Sequence, residues 1–521
     1  MKLTKFIIIL MTVMMFLGCI SVETSFHSHN HNCPIKVFVQ IEEEDAIFEV
    51  AEFNLTIANK TIDVLNTPIL IGRVNENNGE VPVTFTVKGF LKNWYGKKFK
   101  IREFLSETFK TGDEILITLK IYKEDNTFRV RIDKKKSGVI GQDVPREVFL
   151  TPEEALLMRA KNTSFYEELS KEIEKNMKIR KGFWQQYKET NDLSYLRSYR
   201  DSFYAVRAFG ELATWRELND VEYKILLAEL KANNAYYSHH TSPTKDFSAL
   251  VFSNDSPYYS IFRISDSFNS SLPFVYYTGR GFNLYPVTAI HWTEVYFQRK
   301  QNEKALRILK ELSQYAQYGR YNGKEYVLFK SYFHFENSSI PWVSGYAQGM
   351  GAGVYAIAYN LTGNETYLRI ARGLVNSFDL PLSMNGFVSH TKYGDWYLEY
   401  NYNSNELVLN GHIIALQGLY YYWQVTHDEK AWQLFQNGVQ AVRNALPIFD
   451  TGSWSRYSNI HGDASEFYHR LHIRLLKWLY DVTGDKYFLE YARKWNDYLM
   501  IRGLKPEKVG ESRSKENHSK M

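Results

Sequence analysis

The stretch Gly363-Asn-Glu-Thr-Tyr-Leu-Arg-Ile-Ala-Arg-Gly-Leu-Val-Asn-Ser-Phe378 decides the fold. A glycine stops one helix, an asparagine offers a side-chain acceptor to the free amides of the next, and apolar residues then recur at helical spacing from Tyr367 to Phe378. The same punctuation stands at Asn302-Glu-Lys-Ala, His427-Asp428-Glu-Lys and Gly484-Asp485-Lys-Tyr. These copies lie roughly sixty residues apart, and Asn191-Asp192 and Asn219-Asp220 read as weaker earlier ones. A helical hairpin cannot bury its apolar face alone, so neighbouring copies must pack together. Interruptions of about twenty residues or more between pairs fit a closing (α/α) toroid better than a tight superhelical solenoid.

Upstream, Thr151-Pro-Glu-Glu154 opens a helical region with a cap, a first-turn proline and first-turn acids. Helices run with breaks to about residue 237. Residues 238–283 then lose the helical period and are rich in Ser, Tyr, Asp and Pro, which suits strands or a lid. Between Pro34 and Gly141, Ile35–Ile41, Val81–Val87, Ile115–Ile121 and Thr127–Ile132 are β-branched, alternating runs separated by turn clusters. The expected fold class is therefore α+β and multidomain: an N-terminal β-sandwich-like domain followed by an all-α (α/α) toroid. The expected plan is a signal peptide over 1–19, a tether over 20–34 and a β-rich domain over 35–141. A helical region with an irregular connection then spans 142–283, the toroid 284–504 and a charged tail 505–521.

The N-terminus reads as an address. Lys2 and Lys5 precede an apolar run from Phe6 to Phe16, and Leu17-Gly18-Cys19 follows. The run is too short to span a bilayer comfortably and fits a cleaved signal, with an uncleaved anchor as its competitor. A cysteine at the cut makes Cys19 the expected lipid anchor, so the body is expected outside the cytoplasm, held to the outer face of the cell membrane. His27, His29, His31 and Cys33 could bind a metal ion, but nothing nearby completes a site and a polar spacer is the better reading. No metal site is expected.

The 63 basic and 58 acidic residues leave a net charge of +5. There is no basic stripe of the kind that follows nucleic acid, so no nucleic-acid partner is expected. The 38 tyrosines and 11 tryptophans suit a cleft in which sugar faces stack on rings, or equally a helical core filled with aromatics.

Three polar, tyrosine-bearing loops enter the first helices of successive pairs. They are Trp342-Val-Ser-Gly-Tyr-Ala-Gln-Gly349, Trp396-Tyr-Leu-Glu-Tyr400, and Tyr457 through Tyr468-His-Arg-Leu-His472. Matching places in a repeat share one rim, so Tyr346, Glu399, Tyr400, Tyr457 and Tyr468 are expected to face a common basin. Tyrosine is a general acid, or a base where cations lower its ordinary pKa of about 10. Arg456, Arg470, Arg474, His469 and His472 are the cations or donors at hand. Any one of these residues alone reads first as packing, and the combination carries the signal.

Together with Asp395-Trp-Tyr-x-Glu-Tyr400, Val408-Leu-Asn-Gly411 and Leu446-Pro-x-x-Asp-Thr-Gly-Ser453, these segments resemble the C-terminal domain of D-glucuronyl C5-epimerases over about residues 280–502. The resemblance implies cofactor-free removal of a C5 proton from a uronate and its return to the opposite face. It places proton transfer on Glu399, Tyr400, Tyr457 and Tyr468, and a sugar contact on Asn410. Tyr468 and either Glu399 or Tyr400 are the expected opposed pair, with Tyr457 orienting or stabilising. Tyr346, Gln348, Trp396, Arg456, His469, Arg470 and His472 are further candidate substrate contacts. The implied partner is a uronate-containing glycan. Family members often pair, which allows a homodimer, though no segment here marks an interface.

The chain departs from the family pattern in two places. Glu466-Phe467 stands where Trp-Asp usually precedes the tyrosine, and Ile460 replaces an arginine, a role left to Arg456 or Arg470. Three alternatives compete: a polysaccharide lyase, a glycoside hydrolase using two of Asp395, Glu399, Asp463 and Glu466, and a lipid-anchored glycan-binding protein.

Overall fold

The structure, a computed structural model, describes the backbones of seven strands between residues 36 and 136, and residues 151–252, 261–264, 268–335 and 338–510. Cys19, the signal and tether, the histidine cluster and most of the charged tail lie outside the described residues.

The strands are β1 (Lys36–Glu43), β2 (Ala46–Ile57), β3 (Lys60–Val64), β4 (Glu80–Asn93), β5 (Lys98–Lys110), β6 (Glu114–Glu124) and β7 (Thr127–Lys136). They form one sheet of order β1-β6-β7 and another of order β3-β2-β4-β5. The alternating runs read from sequence fall in β1, β4, β6 and β7. Strands β2, β3 and β5 are additional. A sandwich would rest on side-chain packing between the sheets, and those side chains lie outside the described residues.

Helices α1 (Pro152–Ala160), α2 (Tyr166–Thr190), α3 (Leu193–Trp215) and α4 (Asp220–Tyr237) follow. Thr151 and Glu154 close the first helix reciprocally: Thr151 Oγ1 accepts from Glu154 N at 3.2 Å, and Thr151 N donates to Glu154 Oε2 at 2.8 Å. Asn219 and Glu222 repeat the device on α4 at 3.0 Å each way. The irregular connection contains β8 (Ala249–Val251), β9 (Ile261–Arg263), β10 (Phe274–Tyr277) and β11 (Gly281–Leu284). They form a small sheet of order β11-β10-β8-β9.

Four helical hairpins come next: α5 (Pro286–Gln298) with α6 (Asn302–Leu312), α7 (Gly345–Thr362) with α8 (Glu365–Asn376), α9 (Leu409–Thr426) with α10 (Glu429–Ala445), and α11 (Glu466–Thr483) with α12 (Lys486–Ile501). Between them run the short ribbons β12–β13 (Gln317–Tyr321, Lys324–Leu328), β14–β15 (Lys330–Ser331, Trp342–Val343) and β16–β17 (Val388–Thr391, Gly394–Tyr397). Each hairpin turns through a left-handed residue followed by a cap. The left-handed residues are Lys300, Gly363, His427 and Gly484. Asn364, Asp428 and Asp485 then accept from backbone amides at 3.0, 2.9 and 3.0 Å. The sequence reading erred by one residue in the first copy, where Gln301 holds the cap position and Asn302 is already helical.

The first helices of the second and third pairs are buried nearly all round, whereas α6, α8 and α10 each bury one stripe. Inner and outer helices therefore alternate, and α7 lies directly on α9. A Cβ on Gly418 would sit 2.0 Å from the Gly349 carbonyl oxygen, and one on Gly353 would sit 2.6 Å from the Gly418 oxygen. Because Gly349 also faces Ala415, the two helices run parallel and present their N-termini on the same side. One continuous apolar core runs from Ala155 to Leu499.

Gly418→Ala is expected to cost about 3 kcal/mol of stability, because backbone atoms cannot move aside as a side chain can. Gly182→Ala, within α2 and with open space around it, should be neutral or slightly stabilising. Thermal unfolding distinguishes them: a midpoint for the Gly418 variant equal to that of the parent would contradict the close-contact account.

Candidate active site

The three loops are stitched to one another by backbone bonds. Gly345 N donates to Leu398 O at 2.7 Å and Asn401 N to Val343 O at 3.2 Å, tying the first loop to the second. Asn401 Oδ1 also accepts from Val343 N at 2.9 Å. The third loop is held to the start of α9, where Leu409 N donates to Tyr457 O at 3.3 Å and Asn459 N to Leu407 O at 3.2 Å. Asn459 Oδ1 accepts from Leu407 N at 2.6 Å.

The result is a cluster of hydroxyls around one carboxyl. The Tyr400 and Tyr457 hydroxyls lie 3.0 Å apart, and the Tyr457 ring meets that of Tyr468 edge to face at 4.8 Å. Phe335 stacks on Tyr400 at 5.4 Å. Glu399 is 7% exposed, with one carboxyl oxygen buried and unpartnered. Its carboxyl lies against Gly411 in the first turn of α9, where any Cβ would come within 2.2 Å of Oε2.

Burial pushes the Glu399 carboxyl up to about 8; Glu406 adds to the rise and a hydrogen bond from Tyr400 draws it partly back. Burial likewise holds Tyr400, Tyr457 and Tyr468 above the ordinary phenol range, and Glu399 raises each further. This corrects the expectation that neighbouring cations lower the tyrosines. Arg470 and Arg474 are engaged elsewhere. Arg470 donates to Glu466 at 2.8 Å, to the Lys505 carbonyl at 2.6 Å and to Glu507 at 3.2 Å. Arg474 pairs with Glu507 at 3.3 Å. At rest the phenols are therefore proton donors, and the carboxyl is the group whose charge changes near neutral pH.

Several expected substrate contacts belong to the core instead. His469 is fully buried and stacks on Trp454 at 3.6 Å. Its Nδ1 faces Ser455 Oγ at 2.8 Å and its Nε2 the Trp495 carbonyl at 3.0 Å. His472 shares Ser455 Oγ at 2.9 Å. Burial lowers the two histidines to about 4 and about 3, so both are neutral. Gln348 spends its whole amide indoors, on Phe329 N at 3.0 Å, Val327 O at 2.9 Å and Ser377 Oγ at 3.0 Å. Trp396 is sealed between His412 at 4.2 Å and Phe449 at 5.7 Å.

Asn410 is buried with its side-chain oxygen unpartnered, and the half-buried Arg456 leaves Nε unpartnered; both remain candidate contacts. Tyr346 meets His291 Nδ1 through its hydroxyl at 3.2 Å. Three of the four carboxylates weighed for hydrolysis are paired with other side chains. Asp395 pairs with His390 at 2.7 Å, Asp463 with Arg502 at 3.4 Å and Glu466 with Arg470 at 2.8 Å.

Sequence reasoning missed part of the cluster. Tyr277 stacks on Phe333 at 5.2 Å and meets Phe335 at 5.9 Å, while Tyr285 meets Trp342 at 5.8 Å. Tyr468 and Glu399 both act on the Tyr277 phenol, and the buried Arg280 partly offsets them. Glu406 lies 2.8 Å from His461 Nδ1. The motif Tyr276-Tyr277-Thr-Gly-Arg280 sits in the irregular connection, where an exposed lid would look the same in sequence.

Residues 318–497 match the family model described as the D-glucuronyl C5-epimerase C-terminus. By sequence, this segment is similar to the C-terminal region of D-glucuronyl C5-epimerases. A D-glucuronyl C5-epimerase of Caenorhabditis elegans is 32% identical over 177 residues, covering 30% of this chain and 29% of that protein. An uncharacterised protein of Methanocaldococcus jannaschii is 29% identical over 178 residues, covering 33% of this chain and 58% of its own length. The chain thus spans less than two thirds of either relative. Among solved structures, cellobiose 2-epimerase from Bacillus thermoamylovorans aligns with a TM-score of 0.33 at 14% identity, over 46% of this chain and 66% of that one. A likeness this distant carries neither activity nor substrate. Tyr277, Arg280 and Tyr285 lie outside the matched epimerase-family segment.

A pH titration followed by the carboxyl infrared band should show carboxyl signal with a midpoint near 8 from Glu399 and the buried Glu229, and Glu399→Gln should remove the Glu399 share while leaving that of Glu229. Gly411→Ala is expected to displace the Glu399 carboxyl and to move its midpoint. A Glu399 midpoint in the ordinary carboxyl range in the parent protein would contradict the buried placement.

Proposed function

We propose that this protein epimerises uronic acid residues at C5, of the glucuronate-to-iduronate type, within an extracellular polysaccharide or surface glycan. The observation that carries the reading is Glu399. It is a buried carboxyl of raised proton affinity at the centre of three tyrosines whose rings and hydroxyls are in contact. Proton removal beside a carboxylate needs a base poised near the working pH and an acid that holds its proton until needed, and this pairing supplies both.

In this mechanism the Glu399 carboxylate takes the C5 proton, and the electron pair moves into the sugar carboxyl group. Tyr468 then donates its phenolic proton to the opposite face of C5. Tyr400, bonded to Glu399 and 3.0 Å from the Tyr457 hydroxyl, starts a path by which the proton on Glu399 returns toward Tyr468 and resets the site. Residues of this chain suffice for each step. The buried Arg280, beside Tyr277, is the cation we assign to the substrate carboxylate.

The alternation of inner and outer helices supports reading the hairpins as part of an (α/α) toroid, with the β-rich region as an accessory sandwich. We further propose that the chain is exported and held to the outer face of the membrane through Cys19. No helix among the described residues is long and apolar enough to cross a membrane. A homodimer fits the family resemblance alone.

The test is the product made from a glucuronate-containing polysaccharide. NMR should show iduronate in an uncleaved chain, and kcat/KM should rise with pH, reach half its maximum near 8 and level off above that, because a carboxyl of raised pKa becomes a base only as it loses its proton. Glu399→Gln and Tyr468→Phe should each lower kcat by at least about a hundredfold. An ultraviolet-absorbing unsaturated uronate would replace the epimerase reading with a lyase, and new reducing ends without unsaturation would replace it with a hydrolase.

A further inference from the structure

Two large aromatic side chains stand in solvent at the margin of the tyrosine cluster. Phe467, in the first turn of α11, is 64% exposed, and its ring lies 5.3 Å from that of Tyr468 at a steep angle of 78°. Phe247, between α4 and β8, is 63% exposed and meets the Tyr277 ring at 5.3 Å and 71°. They come from separate elements, yet each touches a member of one cluster: Tyr277 meets Phe335, which stacks on Tyr400, and the Tyr400 hydroxyl meets that of Tyr457, whose ring packs on Tyr468. Ile460, 55% exposed, adds an apolar side chain on the loop that carries Tyr457.

The backbone at Phe247 is a second, independent observation. Its φ is +61°, a left-handed conformation that is sterically unfavourable for a bulky aromatic and natural for glycine. The bond from Phe247 N to Tyr276 O, 3.0 Å, pins it there. The strained backbone keeps most of the phenyl ring in solvent while its edge meets Tyr277. Such strain persists where the side chain's position is used.

We propose that Phe467 and Phe247 are stacking platforms for the sugar rings on either side of the reacting uronate, so that the ligand is a glycan chain rather than a single sugar. A pyranose ring has an apolar face of axial C–H groups and an equatorial fringe of hydroxyls. An exposed phenyl ring accepts that face without asking the hydroxyls to leave water. Charged side chains at these places would instead fix one pattern of sulfate or carboxylate on the flanking units. The phenyl rings select for a chain and stay tolerant of its decoration. The inference rests on the proposed glycan function and adds to it the two residues that hold the flanking sugars and the apolar character of that contact.

The experiment measures affinity of the full chain for a glucuronate-containing polysaccharide and for its disaccharide fragment. The protein forms are wild type, Phe467→Ala, Phe467→Trp and Phe247→Gly. Phe247→Gly removes the ring while easing the backbone, so weaker binding by a better-folded variant cannot be a folding defect. Wild type should prefer the polymer, and each ring loss should cut that preference by about two- to tenfold, while Phe467→Trp retains it. Wild-type turnover of the polymer with the same preference in every variant overturns the platforms and leaves the epimerase reading standing. Absence of both binding and turnover by wild type on any uronate glycan overturns the functional reading and this inference with it.

Discussion

The contact on which the rest of the molecule depends is the backbone-to-backbone packing of α7 and α9. Gly349 and Gly353 on one helix meet Ala415 and Gly418 on the other, at separations that leave no room for a Cβ at Gly418. Helices this close are fixed in register and in distance, because side chains cannot cushion a shift. Both begin on the same side, so their opening turns bring the Trp342–Gly349 loop, the Glu399–Tyr400 pair and the Asn410–Gly411 turn to one place. The hydrogen bonds between loops then secure what the helices have positioned.

A second constraint acts inside the cluster that this packing creates. Taking a carboxyl out of water costs free energy unless the charge is paired, and a protein generally answers by pairing it or by keeping it neutral. Glu399 takes the second course. Arg470 and Arg474 of α11 pair with Glu466 and Glu507, and the nearby His469 and His472 are neutral struts of the core. The site therefore stores a proton on a carboxyl that releases it near neutral pH, surrounded by phenols that hold theirs more firmly. In the proposed mechanism, that ordering of proton affinities assigns the carboxyl and the tyrosines different tasks.

The hairpin repeat was legible because its signals are local: a left-handed residue, a short polar cap and an apolar stripe. The slip at Gln301–Asn302 shows the limit, since either residue suits a helix start and only the backbone decides between them. Tyr400, Tyr457 and Tyr468 could be grouped because they enter equivalent helices. Gln348, Trp396, His469 and His472 occupy the same motifs, but their side chains turn inward to hold loops in place, and motif position does not distinguish a strut from a contact. Tyr277, Arg280 and Tyr285 were out of reach for another reason. They arrive from a non-repeating sheet that lies beside the cluster only in three dimensions. The opposed roles proposed for carboxyl and phenol also depend on burial, which the sequence alone does not measure.

The most direct measurement follows the C5 hydrogen itself. The protein is incubated in D₂O with a glucuronate-containing polysaccharide, and C5 is observed by NMR and by mass. The account predicts deuterium at C5 of uncleaved chains, appearing in both configurations with wild type and lost in Glu399→Gln. Inversion at C5 with the original hydrogen retained, or no exchange on any uronate polymer that the protein binds, would contradict it.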